Sequence, residues 1–352
     1  MDAETSTLKV RRTCVPAIGG RIKTAAESFV VEEVPAYELS GEGEHVHVRH
    51  RRRLRATREL VSELAAEFNL QERDIGYAGM KDKVAVAVQS FSLPLRTLPL
   101  DEVRARIEAR VGGQVLDCKR HGNKLKRGHL RGNRFVVEID GCRVGAEADA
   151  RSMLAEIQQL GLINAYGAQR FGRDGTNAQA GARLLGRRTR SWLDQLRLNA
   201  WQSHLFNRWL EKRASLFGWH SLIEGDVAKK TDNGALFDVL DVAAETPRRE
   251  RLEIVPTGPM WGTDMRRAKG QADQLELAVL QESGAALETL EPTRLEGTRR
   301  AAIVKVEGVH MEPLDGNGLR LSFTLPKGSY ATALLDELCG NVDLLEEGVD
   351  DA

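Results

Sequence analysis

The sequence predicts an α+β fold with a mixed or antiparallel sheet, interrupted by a mostly helical insertion. Three features predict it: strand-like and amphipathic helical runs mix over the first 160 residues, helices dominate after Gly161, and strands return after residue 304. Taken in order, Phe29-Val30-Val31-Glu32-Glu33-Val34 reads as a strand. His45-Val46-His47-Val48-Arg49 alternates as a second, joined to the first through Gly41 and Gly43. Residues 57–70 place Leu60, Val61, Leu64, Ala65 and Phe68 on one helix face, and 101–111 repeat the pattern with Val103, Ile107 and Val111. Val84-Ala85-Val86-Ala87-Val88-Gln89-Ser90-Phe91 is a β-branched run expected to be a strand. Residues 135–139 read as another, and Met153, Leu154, Ile157 and Leu160 mark a helix. Beyond Gly161, Ala178, Ala182 and Leu185, then Trp192, Leu196, Leu205 and Trp209, carry helical periodicity. An irregular region with Pro247, Pro256 and Pro259 and a helix near 273–280 follow. Strands are expected at 303–306 and 319–323, with Asp315-Gly316-Asn317-Gly318 as the hairpin turn between them. The expected domains are 1–160, an insertion over 161–304, and a C-terminal part over 305–352 that completes the first domain.

The 352 residues suffice for two domains, and 41% hydrophobic content supplies a core for each. Charged residues make up 29% of the chain and sum to zero, so binding to a polyanion would depend on patches and not on net charge. Four cysteines, Cys14, Cys118, Cys142 and Cys339, form no C-x-x-C pair, which argues against a disulfide framework or a zinc ribbon. With no apolar leader-like segment and no run of 18 apolar residues, the chain is expected to be soluble and cytoplasmic, without membrane partners.

One stretch stands out chemically. Gly76-Tyr77-Ala78-Gly79-Met80-Lys81-Asp82-Lys83 sets a carboxylate between two ammonium groups on the turn that feeds a strand. Flanking cations favour the ionised form, so Asp82 is a candidate nucleophile or base, while Lys81 and Lys83 are expected to face phosphate or solvent. From Lys119 to Arg134 the chain carries seven Lys or Arg and no acid, interleaved with glycines. That is a phosphate-meeting composition, with Lys124, Lys126, Arg127 and Arg131 as the candidates. Arg49, Arg51, Arg52, Arg53, Arg55 and Arg58 form a second cluster of the same kind. Asn133 and Phe135, two apart on a strand, share a face and supply an amide and an aromatic, the two groups that an unstacked base requires.

Three further stretches, Gly132-Asn133-Arg134-Phe135, Tyr166-Gly167-Ala168-Gln169-Arg170-Phe171-Gly172 and Pro326-Lys327-Gly328-Ser329-Tyr330-Ala331-Thr332, stand in register with the Asp82 segment. Over nearly the whole chain, from about Lys23 to about Leu338, the sequence resembles the TruD family of tRNA pseudouridine synthases. The resemblance implies a pseudouridine-synthase-like catalytic domain interrupted by a TRUD domain, with tRNA bound in the cleft between them. It further implies isomerisation of uridine 13 in the D arm by a monomer, with no cofactor, no metal and no obligate protein partner. Asp82 matches the family's catalytic aspartate, and Lys23 the lysine placed to pair with it. Phe29, Asn133, Phe135 and the aromatic at Tyr330 match positions that contact the target uridine, and Gln89 matches a structural position. Arg170 joins the phosphate-binding candidates. Departures from the family pattern fall at Ala26, Ser28, Ala87, Ala165 and Tyr330, none of which removes the aspartate.

Other readings lack support. His45, His47 and His50 have no cysteine or carboxylate arrangement to complete a metal site, and are expected to form a polar strand face. No Walker A, G-x-S-x-G or G-x-G-x-x-G pattern occurs. The rival from another class is a non-catalytic tRNA-binding or RNA-chaperone protein using the same basic cleft, which would not require Asp82.

Overall fold

The computed structural model describes residues 13–22, 25–81, 83–172, 174–189 and 191–340. They fall into two compact units, one of 17–151, 306–331 and 338–340, the other of 13–16, 152–305 and 332–337. Along the chain come β1 (Gly19–Ile22), β2 (Phe29–Pro35), β3 (His45–Arg53), α1 (Thr57–Phe68), β4 (Gly76–Tyr77) and β5 (Val86–Leu93). Then follow α2 (Leu100–Arg106), β6 (Gln114–His121), β7 (Leu130–Cys142), α3 (Ala146–Leu160), β8 (Leu162–Ile163), α4 (Asn177–Ala182) and α5 (Trp192–Phe217). Next are β9 (Val227–Lys230), β10 (Leu236–Asp238), α6 (Val242–Glu250), β11 (Ile254–Met260), α7 (Gly270–Glu282), β12 (Thr298–Ala301) and β13 (Ile303–Val304). The last are β14 (Glu307–Leu314), β15 (Gly318–Pro326) and α8 (Ala331–Cys339).

In the first unit a mixed sheet runs β14-β15-β7-β2-β5-β3-β6, with β1 added to β7 and β4 to β5. Among the described residues only the β2 and β5 pairing is parallel; the others are antiparallel. The apolar stripe predicted for α1 is buried along its length and packs with Val46 and Val48 of β3, Phe91 and Leu93 of β5, and Val103 and Ile107 from the α2 segment. Each such side chain contributes about 1.5–3 kcal/mol by leaving water. The helix stops at Asn69, which adopts the left-handed conformation at φ 52°.

In the second unit α4, α5 and α7 supply the core cluster around Trp201, Phe206, Trp209 and Trp261. This unit also contains strands that the sequence did not announce: a four-stranded sheet ordered β10-β9-β11-β12, and β8, which pairs with β13 inside the run expected as a strand over 303–306. Pro256 and Pro259, which suggested irregular chain, lie within β11. The strand pairs with β9 over 254–256 and with β12 over 257–260, so each stretch has one hydrogen-bonded neighbour, the edge-like situation in which proline is tolerated.

The C-terminal hairpin forms at the predicted turn, with Gly316 and Asn317 both at positive φ (69° and 60°) as a type I′ turn requires. Its first strand is β14, not residues 303–306: Ile303 and Val304 pair with β8 instead. Among the described residues no helix is long and apolar enough to cross a membrane.

Candidate functional site

Strand pairing places an unusual set of polar side chains on one face of the first unit's sheet. Glu33 of β2 lies opposite Asn133 of β7, which lies opposite Leu325 of β15; two residues along, Val31, Phe135 and Phe323 form the adjacent row. Farther across, Gln89 of β5 pairs with His50 of β3, and Ala87 with Arg52. On such a face apolar residues are expected, yet Glu33, Gln89, His50 and Arg52 are all buried.

Their partners explain the burial. Thr57, the first residue of α1 and fully buried, acts as a hub. Its Oγ1 accepts from the Lys81 backbone N–H at 2.9 Å and from an Arg52 guanidinium N–H at 2.9 Å, and donates to Gln89 Oε1 at 3.1 Å. Those three bonds use the full capacity of a hydroxyl. Gln89 in turn donates from Nε2 to the Gly79 carbonyl at 2.6 Å, and Arg52 Nε donates to the Arg55 carbonyl at 2.9 Å. The Lys81 ammonium lies 3.1 Å from Glu33 Oε2, with both side chains under a tenth exposed; the contact is ionic, outside hydrogen-bond geometry. Segment 79–81 is thereby held at three points, by Gln89, Thr57 and Glu33, while Met80 between them stays half exposed.

The electrostatics follow from burial. Loss of water raises the Glu33 carboxyl above its ordinary value, and the Lys81 ammonium and, more weakly, Arg52 oppose that shift without cancelling it. Burial also lowers Arg52, to about 10, still charged at neutral pH. Two buried cations thus face one buried carboxylate, and the surplus positive charge favours a further anion nearby.

Beside this network stands Asn133, whose buried Oδ1 has no hydrogen-bond partner. A buried amide oxygen left bare is costly, which marks it as a group awaiting a donor. Gly132 before it can carry no side chain, because a Cβ would strike the Leu325 carbonyl oxygen of β15. Phe135 is buried, stacked on Phe323 with centroids 5.4 Å apart and touched edge-on by Phe29 at 6.1 Å. Phe135 therefore belongs to the wall beneath Asn133 and offers no open ring face. Farther along the same end of the β7 and β15 pair, Ser329 buries a hydroxyl that also lacks a partner, and Tyr330 exposes 43% of its surface.

The two residues carrying the expected chemistry, Asp82 and Lys23, lie outside the described residues. Among the expected phosphate contacts, Lys81 is corrected: its ammonium is buried against Glu33, because a lysine this deep must be paired. Lys83 remains at the surface, 3.1 Å from Glu59. Lys126, Arg127 and Arg131 are exposed, with Arg127 lying over the Tyr77 ring at 5.9 Å, whereas Lys124 donates to the Arg73 carbonyl. Arg170 belongs to the second unit, where it donates to Ser203 Oγ at 3.0 Å and lies over the Tyr166 ring. The 49–58 arginine cluster is largely consumed within the chain: Arg49 pairs with Glu32, Arg53 with Glu27, Arg55 with Glu63, and Arg52 is buried. The histidines do not make a polar face either. His47 and His50 are buried and bond the carbonyls of Asn123 (2.9 Å) and Gly112 (2.7 Å), and burial lowers both pKa values.

Sequence reasoning missed Glu33 and Thr57, and set Arg52 among phosphate contacts although it is buried against Thr57. The available signal was Glu33 at a core-facing position of β2, in step with Phe29 and Val31.

Fold and site together define an α+β protein with a buried, partly unsatisfied polar cluster on its large sheet. The TruD profile, tRNA pseudouridine synthase D, matches residues 8–192 and 187–338. A tRNA pseudouridine synthase D from Anaeromyxobacter dehalogenans is 42% identical over 95% of this chain and 97% of its own length. One from Thermus thermophilus is 39% identical over 92% and 90%. The crystal structure of a TruD protein from Methanosarcina mazei superposes with a TM-score of 0.73 at 21% identity, covering 95% of this chain and 96% of that one, and so shares the fold. The chain belongs to the TruD family.

Proposed function

We propose that this chain isomerises uridine to pseudouridine in tRNA, at position 13 of the D arm, with the first unit as the catalytic domain and the second as the TRUD insertion. The reaction breaks the N1–C1′ bond, turns the uracil and rejoins it through C5, whose hydrogen leaves to water; atoms and electrons balance without a redox partner. Asp82 supplies the ionised carboxylate at the ribose, either adding to C1′ or removing the C2′ proton, and Lys23 pairs with it. The positive surplus of Lys81 and Arg52 over Glu33 supports an ionised neighbour to Lys81 in the chain.

The observation that carries the reading is the unpartnered, buried Oδ1 of Asn133. An amide presents an acceptor and a donor side by side, the complement of a uracil edge with its N3–H and a carbonyl oxygen. Phe29 and Phe135 pack on the same sheet face as Asn133, and the partly exposed Tyr330 would stack on the base. Lys83, Lys124, Lys126, Arg127, Arg131 and Arg170 would meet the RNA backbone.

The test is tritium release from tRNA labelled at uridine C5, followed by carbodiimide mapping of the modified position. Release by the parent and none by Asp82→Asn, with a mapped stop at position 13, is the expected result. Tight binding to a panel of tRNAs with no release would instead favour a non-catalytic RNA-binding protein.

A further inference from the structure

We propose that Trp192, together with Arg183, Arg187 and Arg188, forms a second RNA contact in the helical unit, in which an unpaired tRNA base outside the reaction site stacks on the indole while the arginines hold its flanking phosphates. The inference rests on tRNA being the substrate. Trp192 opens α5 with 70% of its surface exposed, whereas Trp201, Trp209 and Trp261 of the same unit are buried to 2% or less. The buried three fill the core, and Trp209 and Trp261 each have a guanidinium over the ring; no ring or cation contacts Trp192 among the described residues. A tryptophan that neither packs nor pairs is an unusual use of the largest apolar side chain.

Its surroundings are cationic. Residues 183–193 contain four arginines and no acid. Arg183, Arg187 and Arg188 are exposed and have no ion-pair partner among the described residues, unlike Arg208, Arg248, Arg251, Arg266, Arg267 and Arg299 of the same unit. The adjoining turns bring Glu288 and Glu291, both exposed, and α5 brings Asp194, which lies 4.0 Å from Arg197; Arg294 adds a further exposed cation, so Arg183, Arg187, Arg188 and Arg294 still outnumber the acids. The arginines are also pre-positioned. The Gly186 N–H donates to the Thr289 carbonyl at 2.8 Å, Arg187 N–H to the Leu184 carbonyl at 3.1 Å, and Thr189 Oγ1 to the Thr293 carbonyl at 3.4 Å. Leu184 and Leu185 pack on the core, and Ser191 Oγ caps α5 by accepting from Asp194 N–H at 3.0 Å.

Tryptophan and arginine are enriched at protein interfaces too, but charged residues are otherwise depleted at an interface core, whereas here cations run without an acid over residues 183–193. One bare indole set among unpaired guanidiniums instead matches the recognition of single-stranded RNA, by stacking plus phosphate contacts.

Trp192→Ala, Trp192→Phe and Arg187→Ala/Arg188→Ala are compared with the parent in tritium release, tRNA affinity and tryptophan fluorescence. Because Trp192 is solvent-exposed, the variants should keep the parent's melting temperature. Trp192→Ala should raise KM roughly 5- to 160-fold at unchanged kcat, the span of one lost base stack, and Trp192→Phe should retain most of the affinity. The parent's fluorescence should be quenched by tRNA, and that quench should be absent in Trp192→Phe. The double arginine variant should lower the slope of log affinity against log salt by about 1–2. A parent-like KM in Trp192→Ala, or a quench that persists in Trp192→Phe, overturns the proposal and leaves the patch to a protein partner. Failure of the parent itself to bind or modify any tRNA would overturn the substrate reading instead.

Discussion

Removing the Thr57 hydroxyl tests the network that holds segment 79–81. Thr57→Val preserves volume and shape but abolishes three hydrogen bonds at a position of zero exposure. Water has no access to replace them. The Lys81 N–H and an Arg52 N–H are left bare at about 1–3 kcal/mol each, and Gln89 Oε1 loses its donor at about 1 kcal/mol. Allowing for relaxation, the expected loss is about 3–5 kcal/mol, a large part of the roughly 5–15 kcal/mol that holds a domain folded. Thr57→Ser keeps the hydroxyl and should cost under about 1.5 kcal/mol, which separates the network from packing. Urea unfolding followed by a probe in the first unit measures both, and hydrogen exchange at the Lys81 amide reports the local bond directly. Because Lys81 precedes Asp82 in the chain, Thr57→Val should also lower kcat for pseudouridine formation at temperatures where it is folded, with Thr57→Ser near the parent. A Thr57→Val protein within 1 kcal/mol of the parent and equally active would refute the hub.

Other perturbations separate the remaining roles. Burial raises the Glu33 carboxyl above its ordinary 4.5, so its contribution to stability is full below pH 4.5 and is lost as pH rises through the folded value. The stability of Glu33→Gln relative to the parent should therefore improve as pH increases across that window, read from urea midpoints at a series of pH values; a flat or falling difference would mean Glu33 is not destabilised by burial. Lys81→Met alone leaves a buried carboxylate unpaired and should cost about 3–5 kcal/mol, whereas Glu33→Leu with Lys81→Met should recover most of that in thermal melts. Phe135→Leu should leave the melting temperature within a few degrees of the parent but slow single-turnover release, while unchanged rates would reduce Phe135 to packing alone. Lys126→Ala and Arg131→Ala, both on exposed cations, should each lower the salt slope of tRNA binding by about 1, and an unaltered slope would remove that loop from the interface.

What the sequence disclosed depended on whether the signal was local. The α1 face and the β2, β5 and β7 strands announce themselves by period, and Gly316 with Asn317 specifies its turn. Lys81 could not be read locally, since a lysine beside Asp82 and Lys83 has the composition of surface chain. Its burial arises only because β2 delivers Glu33 to the same spot from nearly fifty residues upstream. The same holds for Arg52 and His50, which alternate with truly exposed arginines along β3 and find their partners through α1 and the turn at Gly112. In β11 the misleading signal was proline, a strand breaker by propensity that survives where each stretch has a single neighbour.

The choice of polar anchors for segment 79–81 has a physical logic. Its side chains are those of Gly79, Met80 and Lys81, and the one large apolar group is half exposed, so hydrophobic burial cannot fix its position. Burial is also non-directional, and would tolerate sliding. A hydrogen bond from Gln89 to the Gly79 carbonyl, one from the Lys81 N–H to Thr57, and an ion pair with Glu33 define position and orientation together, at the cost of placing three charged groups in the interior. That cost is useful only if the geometry of the next residue matters. The strand that follows in the chain begins at Val86, rooted in the parallel pairing with β2. A chain that needed only to bind RNA could leave such a turn to solvent; one that must deliver a carboxylate to a ribose has reason to hold it with a buried network.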